Sequence, residues 1–375
     1  MAGLYIHVPF CSQACHYCDF HFSTSRGNLD AMVIALCGEI ELQRTYLDLE
    51  PIETIYFGGG TPSLLSEEHL RRLMDTIYKN FKVENAEITL EANPDDLTTQ
   101  KLAALKGSGV NRLSIGIQSF DDSILKFLNR VHSSRDAVQC LDRARKIGFT
   151  NISIDLIYAI PGQSDDQWRR NIEKAAEICP EHISAYALTI EDKTVFGRWQ
   201  KKGKLLSVSE EVAAGQMEIL LEMLDNSGYE QYEISNFCTP GSYSKHNSSY
   251  WQQKKYLGIG PSAHSYNLES RQHNVSNNSL YIQSITQGRI PFQKEILSRE
   301  NKINEYIFTR LRTSWGCDLE ELNAQFNFDL LNVSHQKIEA MISQGFIQLN
   351  NHLLLLTRKG KLLADKISSD LFIND

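Results

Sequence analysis

The chain has 375 residues, of which 42% are hydrophobic and 22% charged, and its net charge at pH 7 is −8. This composition is typical of a globular protein, and the acidic balance excludes a broad basic surface for nucleic acid. No stretch approaches the ~18 apolar residues of a membrane span, and the first residues lack the basic and apolar parts of a signal peptide. We therefore expect a cytoplasmic protein.

The first half of the chain alternates between β-rich and amphipathic segments. The β-rich segments lie at residues 4–8, 54–57, 87–90, 112–117, 152–156 and 182–188. The helical segments between them lie at residues 29–46, 67–80, 98–106, 133–147 and 165–177. Six such units predict an α/β fold with a parallel sheet and helices outside. Because six strands are too few to close an eight-stranded TIM barrel, we predict an open partial (βα)6 barrel over residues 1–190.

The pattern changes after residue 190. Residues 191–300 mix helices with polar loops, and we expect a connecting region there. Residues 301–375 contain helical segments, a hairpin at 346–356 and a final helix. The turn Asn350-Asn351 suits that hairpin because asparagine tolerates positive φ. This order predicts a winged-helix-like α+β module, which we expect to act as a lid or docking module.

Three cysteines follow the first predicted strand with the spacing Cys-x3-Cys-x2-Cys: Cys11, Cys15 and Cys18. Three thiolates can hold three irons of a 4Fe–4S cube, which leaves one iron open to another ligand. A disulfide framework would leave one cysteine unpaired. A Cys3His zinc site remains an equal alternative on the cysteines alone. Three nearby histidines could complete such a site: His7, His16 and His21.

Polar and glycine residues follow the later strands. The sequence Gly-Gly-Gly-Thr-Pro occupies residues 58–62, Glu91 and Gln118 follow the third and fourth strands, and Asp155 lies late in the fifth. Active sites of such folds gather at the carboxyl ends of the strands, so we expect these residues near the cysteines. A plain tight turn is the alternative for the glycines, and strand-end ion pairing is the alternative for the charged residues.

Together these motifs resemble a radical S-adenosylmethionine (SAM) protein. The resemblance rests on the cysteine loop with an aromatic residue before its third cysteine, the Gly-Gly-Gly-Thr-Pro turn and the segment Glu-Ala-Asn-Pro. Among radical SAM proteins, the sequence most resembles the oxygen-independent coproporphyrinogen III oxidase family, including its heme chaperone branch. Gly-Ile-Gln-Ser-Phe at 116–120, Asn129-Arg130 and the segment 155–162 extend the match over nearly the whole chain.

This resemblance implies a 4Fe–4S cluster on the three cysteines and SAM on its open iron. Tyr5 and Tyr17 would flank the cluster and could contact SAM. The contacts to SAM implied by the family are Tyr5, Gly59, Gly60, Thr61, Glu91, Gln118, Arg130 and Asp155. Glu91 could accept from the ammonium group of SAM, and Arg130 could pair with its carboxylate. The cluster would donate an electron and cleave the sulfonium to give a 5′-deoxyadenosyl radical, a step that requires an electron donor.

Two departures separate the chain from the oxidases of this family. The oxidases carry a further cysteine two positions past the third cluster cysteine, where this chain has Phe20. They also have an N-terminal extension that caps the site, whereas this chain begins ten residues before Cys11. Both departures favour the heme chaperone branch.

A segment at residues 245–251 resembles the His-Asn-x-x-Tyr-Trp motif of that branch. The resemblance implies haem binding by four residues: His246, Asn247, Tyr250 and Trp251. A neutral imidazole can ligate haem iron, and aromatic side chains can cover the macrocycle. The same residues could instead satisfy local backbone groups and pack a domain junction. His264 is a weaker candidate ligand.

The sequence therefore predicts a radical SAM-type heme chaperone that binds haem and transfers it to an acceptor protein. A membrane respiratory protein is a candidate acceptor. The alternative is an oxygen-independent coproporphyrinogen III oxidase that decarboxylates propionate side chains. A radical enzyme acting on another substrate is a third hypothesis. No nucleic-acid partner is expected.

Overall fold

All six strands expected in the first half of the chain are present. The structure is a computed structural model that describes residues 2–373. The strands are β1 (Ala2–Val8), β2 (Ile52–Gly59), β3 (Val83–Ala92), β4 (Arg112–Gln118), β5 (Ile152–Tyr158) and β6 (His182–Ala187). They pair in sequence order and all run parallel. The predicted parallel sheet is thus confirmed.

Helices connect these strands on the outside. They are α1 (Leu29–Leu42), α2 (Glu67–Asn80), α3 (Thr99–Gly107), α4 (Asp122–Phe127), α5 (Ser134–Ile147) and α6 (Asp165–Ile178). Ser66, Ser133 and Ser164 begin α2, α5 and α6 with capping boxes, which satisfy otherwise free amide groups of the first turn. Sequence analysis missed α4, because six residues are too few to show helical periodicity. Within residues 2–373, no helix is both long and apolar enough to span a membrane.

Residues 191–300 extend the same sheet at both of its edges. Their helices are α7 (Val195–Lys201), α8 (Glu210–Asn226), α9 (Lys245–Trp251) and α10 (Asn278–Thr286). Their strands are β7 (Glu230–Glu233), β8 (Asn236–Cys238), β9 (Tyr256–Ile259), β10 (His264–Tyr266), β11 (Ser270–Asn274) and β12 (Phe292–Ile296). The strand order is β12-β11-β10-β9-β1-β2-β3-β4-β5-β6-β8-β7. The two edge strands, β12 and β7, do not pair with each other in the described part of the chain, so the barrel is open.

The alternation of side chains along β4 shows how the barrel interior becomes polar. Leu113, Ile115 and Ile117 are buried in the hydrophobic core of the protein. The alternate residues face a cavity inside the sheet: Arg112, Ser114, Gly116 and Gln118. Successive side chains of a strand point to opposite faces, so one strand supplies both the core and the lining of the cavity.

The C-terminal module has a sheet and a hydrophobic core of its own. Its elements are α11 (Arg299–Leu311), β13 (Cys317–Asp318), α12 (Leu319–Phe326), α13 (Leu330–Val333), α14 (His335–Ser343), β14 (Ile347–Asn350), β15 (Leu353–Leu356), α15 (Arg358–Lys361) and α16 (Ala364–Asp370). Asn351 has a φ of +56° in the turn of the β14–β15 hairpin. Arg312 joins the module to the barrel, because its guanidinium lies 3.0 Å from the Glu233 carboxylate. This arrangement agrees with the predicted α+β module.

Glu39 of α1 connects the barrel to the added strands. Its carboxylate is fully buried and accepts hydrogen bonds from four groups: the side chains of Gln43, Asn274 and Tyr281 and the amide of Gly260. Burial raises the pKa of this carboxyl group. One side chain therefore satisfies donors from the residue after α1, from β11, from α10 and from the β9–β10 connection.

We expect Glu39→Ala to lower the free energy of unfolding by about 3 kcal/mol, because several buried donors lose their acceptor. Urea unfolding of the purified chain measures this change. Glu41→Ala is the matched control, since Glu41 lies on the same helix, is exposed and faces Lys79 across 3.5 Å. The control should lose less than about 1 kcal/mol. Equal losses in the two variants would contradict the assigned role of Glu39.

Candidate functional site

A cavity of about 650 Å³ opens inside the barrel, toward the carboxyl ends of its strands. It is lined by the three cysteines and by every residue expected to contact SAM: Tyr5, Cys11, Cys15, Tyr17, Cys18, Gly59, Gly60, Thr61, Glu91, Gln118, Arg130 and Asp155. These residues come from β1, β2, β3, β4, β5 and the loops after them. The parallel sheet therefore brings residues distant in sequence to one site.

The cysteine loop is held by main-chain hydrogen bonds. The Cys11 amide donates to the Ser23 carbonyl at 3.0 Å, and the Thr61 amide donates to the Phe10 carbonyl at 2.7 Å. All three thiols are free and partly exposed. Burial raises the pKa of Cys18 to about 12, and the nearby Cys15 and Cys11 add to this effect. These thiols therefore stay protonated unless a bound cation stabilises their thiolate forms.

The histidines considered for a zinc site have other contacts. The His7 ring bonds to the Tyr5 hydroxyl and the His21 carbonyl, and the His21 ring bonds to Asn278. His16 bonds to the Phe127 carbonyl. Within residues 2–373, no three His, Cys, Asp or Glu side chains are gathered around a single point as one metal ion would require. A cube instead takes each thiolate on a different iron.

The glycine turn after β2 lies directly beneath the cysteine loop. A Cβ atom on Gly60 would lie 2.6 Å from the Phe10 carbonyl oxygen and 2.7 Å from that of Val8. Gly59 has a φ of +103°, which favours glycine. Its amide donates to a Glu91 carboxylate oxygen at 3.1 Å. The two glycines thus allow the turn to approach both the cysteine loop and the cavity.

Two carboxyl groups in this cavity have raised pKa values. Burial, with the nearby Asp155, raises the pKa of Glu91 to about 7, although Glu91 accepts a hydrogen bond from the Tyr56 hydroxyl at 2.9 Å. Burial raises the pKa of Asp155 to about 6. A ligand carrying an ammonium group would stabilise the charged form of such a carboxylate. The pair therefore fits the amino group of an amino-acid ligand.

Arg130 connects the cavity to the cysteine loop. Its guanidinium donates to the Asn93 side chain at 2.7 Å, to the Gly116 carbonyl at 2.8 Å and to the Cys15 sulfur at 3.4 Å. Its buried Nε has no hydrogen-bond partner within residues 2–373. Gln118 has a φ of +66°, a strained conformation for a residue other than glycine. Both residues thus have features typical of a ligand site.

Sequence analysis missed Arg112, which lies deeper in the same cavity. Arg112 is 1% exposed, and its buried Nε has no hydrogen-bond partner within residues 2–373. The charge of Arg112 acts on the Asp155 carboxyl group, whose pKa it lowers against the effect of burial. Its unpaired Nε is costly to bury, so it suits an anionic or acceptor group supplied by a ligand. The signal in the sequence is its position two residues before Ser114 and four before Gly116, which places all three on one face of β4.

The four residues expected to bind haem all lie on helix α9 but face two different cavities. His246 and Asn247 line the barrel cavity, Trp251 lines a second cavity, and Tyr250 lines both. His246 is 1% exposed, and its ring nitrogens lie 2.8 Å from the Thr54 hydroxyl and 2.8 Å from the Tyr250 hydroxyl. Burial and the charge of Arg112 lower its pKa to about 3. His246 therefore closes the inner end of the cavity as a neutral imidazole with a hydrogen bond at each ring nitrogen.

Comparison with known protein families divides the chain into two matched parts. The radical SAM superfamily matches residues 5–175, and the HemN C-terminal domain matches residues 297–363. Among solved structures, the coproporphyrinogen III oxidase HemN from Escherichia coli covers 99% of this chain and 90% of its own, with a TM-score of 0.85. At 24% identity, this likeness shows a shared fold.

Curated relatives match over nearly their full length. Heme chaperone HemW from Bacillus subtilis (strain 168) is 37% identical over 98% of both chains. Heme chaperone HemW from Lactococcus lactis is 36% identical over 99% of this chain and 97% of its own. A bovine relative, "Radical S-adenosyl methionine domain-containing protein 1, mitochondrial", is 33% identical over 98% of this chain and 86% of its own.

The close approach of Gly60 to the cysteine loop predicts that Gly60→Ala lowers the free energy of unfolding by about 1–3 kcal/mol, because the added methyl group meets fixed backbone atoms. Urea unfolding measures the change. Gly107→Ala is the control, since nothing lies within 4 Å of its Cβ position at the end of α3. It should be neutral or slightly stabilising. Unchanged stability of Gly60→Ala would contradict the tight approach.

Proposed function

Because this chain belongs to the radical SAM superfamily, and within it to the coproporphyrinogen III oxidase family in the branch of the HemW relatives, we propose that it is a heme chaperone. It binds haem and transfers it to an acceptor protein, for which a membrane respiratory protein is a candidate. The observation that carries this proposal is the similarity to heme chaperone HemW over 98% of both chains.

We propose that the barrel cavity holds a 4Fe–4S cluster and SAM. Cys11, Cys15 and Cys18 would bind three irons, and the free thiols on one loop support this assignment. Glu91 would accept from the ammonium group of SAM, and Arg130 would meet its carboxylate. When bound, the cluster and SAM supply radical chemistry if an electron donor reduces the cluster. In this proposal they support or gate haem transfer.

The remaining contacts follow from the same cavity. Gly59, Gly60 and Thr61 would present main-chain groups to SAM, while Gln118 and Asp155 would bind its ribose hydroxyls. Tyr5 and Tyr17 would shield the cluster from water. Each of these residues lines the cavity.

Phe20 favours the chaperone over the oxidase. The oxidases of this family have a cysteine at this position, and a phenyl ring cannot replace a thiol that takes part in chemistry. The Phe20 side chain is 73% exposed and borders the cavity that holds the three cysteines. An exposed aromatic ring at this mouth suits contact with an apolar ligand.

We infer further that the protein works in the cytoplasm. All eight cysteines are free thiols in residues 2–373. Free thiols are typical of reducing compartments, which also preserve an oxygen-sensitive cluster.

Anaerobic reconstitution with iron and sulfide should load about four irons per chain. Replacing Cys11, Cys15 or Cys18 by alanine should abolish the visible absorption of the cluster and most of the bound iron. Cys179→Ala is the matched control, because Cys179 is exposed and lies just after α6, outside the cavity. Stoichiometric zinc, with no bound sulfide, would contradict the cluster assignment and favour the zinc alternative.

Haem titration and a coproporphyrinogen assay on the same reconstituted sample test the function. We expect a Soret band that survives desalting and no release of carbon dioxide from coproporphyrinogen under anaerobic reduction with SAM. Loss of all haem on desalting would exclude the chaperone function. Carbon dioxide release with an intact cluster would instead establish the oxidase.

A further inference from the structure

A second cavity of about 490 Å³ adjoins the barrel cavity. Three distant parts of the chain form it: the end of the cysteine loop, the strands β9, β10 and β11 with the end of α9, and helix α11 of the C-terminal module. Tyr5, Phe20 and Tyr250 line both cavities. Its volume is within the range of about 300–1,000 Å³ that is usual for small-molecule sites.

The walls of this cavity are rich in aromatic side chains. Tyr250 and Tyr256 meet edge to face with ring centroids 4.6 Å apart. The ring centroids of Tyr256 and Tyr266 are 6.2 Å apart. Trp251 lies beside them and Phe20 stands at the rim. Such walls suit a large, flat and apolar ligand.

Three histidines line the cavity, and only one has an uncommitted ring within residues 2–373. Both ring nitrogens of His7 are hydrogen-bonded, and His21 bonds to Asn278 at 2.7 Å. The His264 ring has no hydrogen-bond partner in the described part of the chain, is exposed, and stacks on His273 at 5.3 Å. His264 is therefore the lining histidine with neither ring nitrogen in a hydrogen bond in that part of the chain, whereas one nitrogen of His21 is bonded.

One cationic side chain faces the same space. Arg271 lines the cavity, and its guanidinium lies 2.6 Å from the Glu305 carboxylate of α11. Asp19 is a further acidic residue of the lining. An exposed guanidinium can also donate to a second carboxylate, and arginine geometry suits that pairing. The cavity thus combines a free imidazole, aromatic walls and a partner for a carboxylate.

We propose that this second cavity, rather than the surroundings of His246, is the haem site, with His264 as an axial ligand of the iron and Arg271 as the partner of a propionate. This inference rests on the proposed function. It also assigns Tyr250 and Trp251 to the walls of the site, while His246 supports Tyr250 through its hydrogen bond at 2.8 Å. Haem would then lie one side chain away from the cavity that holds the cysteines.

His246 would need a large rearrangement to ligate haem. Its two ring nitrogens are both in hydrogen bonds, and its ring stacks on Tyr56 at 4.9 Å inside the barrel. Ligation would break at least one of these buried hydrogen bonds and leave the hydroxyl group of Thr54 or Tyr250 without that partner. His264 requires no such change.

The test compares ferric haem with metal-free protoporphyrin IX, titrated into the full chain. His264→Ala should weaken haem binding at least about ten-fold and shift the Soret band, because the iron loses a ligand. Binding of the metal-free porphyrin should stay within about two-fold of wild type, since it keeps the contacts with the aromatic walls and with Arg271 and lacks only the iron. Added imidazole should restore the wild-type position of the Soret band.

His273→Ala is the matched control. His273 is exposed, pairs with His264 across β10 and β11, and lies outside the cavity lining. It should keep the haem affinity and spectrum of wild type. Loss in His273→Ala equal to that in His264→Ala would show that stacking, rather than ligation, is responsible and would overturn the assignment.

The outcomes separate this inference from the proposed function. If the wild-type chain retains no haem, the chaperone function fails. If wild type binds haem and His264→Ala has the same affinity and spectrum, the second cavity loses its ligand while the chaperone function stands. Iron-specific loss in His246→Ala but not in His264→Ala would also overturn the inference. Equal loss of haem and metal-free porphyrin in His264→Ala would show damaged packing and refute ligation.

Discussion

The structure depends on a sheet that buries charged and polar groups inside an open barrel. Arg112, Glu91 and Asp155 all face this interior, and burial raises the pKa of both carboxyl groups. Withdrawing such groups from water is unfavourable, and the buried Nε of Arg112 has no hydrogen-bond partner within residues 2–373. The hydrophobic core between the sheet and its helices stabilises the fold enough to hold them there. The interior is thus prepared for a ligand that carries charges of both signs.

The strands and helices of residues 191–300 close the inner end of the barrel cavity and form part of the second cavity beside it. Helix α9 closes the inner end, because His246 reaches Thr54 of β2 and the His246 amide donates to Glu87 of β3. Strands β9–β11 continue the sheet beyond β1, and Glu39 connects them to α1. This extension meets α11 of the C-terminal module and leaves the second cavity between them. One edge of the sheet therefore creates a site that the six-stranded barrel alone would lack.

The sequence predicted the elements that have strong local patterns. The six parallel strands and the helices α2, α5 and α6 were predicted from the alternation of β-rich and amphipathic segments. The rule that sites lie at strand ends placed Glu91 and Gln118 beside the cysteines. Strands β7–β12 were missed, because they have three to five residues and depend on pairing with distant segments.

The positions of side chains inside the barrel could not be predicted, because they also depend on contacts between distant segments. The inward direction of Arg112 follows from the register of β4, which the sequence does not specify without its neighbours. The burial of His246 depends on where α9 docks. The second cavity combines residues near positions 20, 264 and 305, and only the tertiary fold brings them together.

The wall shared by the two cavities provides a physical route for coupling. Tyr5 and Tyr250 face both spaces, and Tyr5 stacks on Tyr56, which donates to Glu91. A ligand that changes the charge of Glu91 therefore acts on a hydroxyl and an aromatic ring that adjoin the second cavity. Such coupling must be reciprocal, since binding free energies are linked. If a ligand in the barrel cavity raises the affinity for haem, haem must raise the affinity for that ligand by the same factor, and the same holds for a decrease. Gating of haem release therefore needs no direct contact between the two ligands.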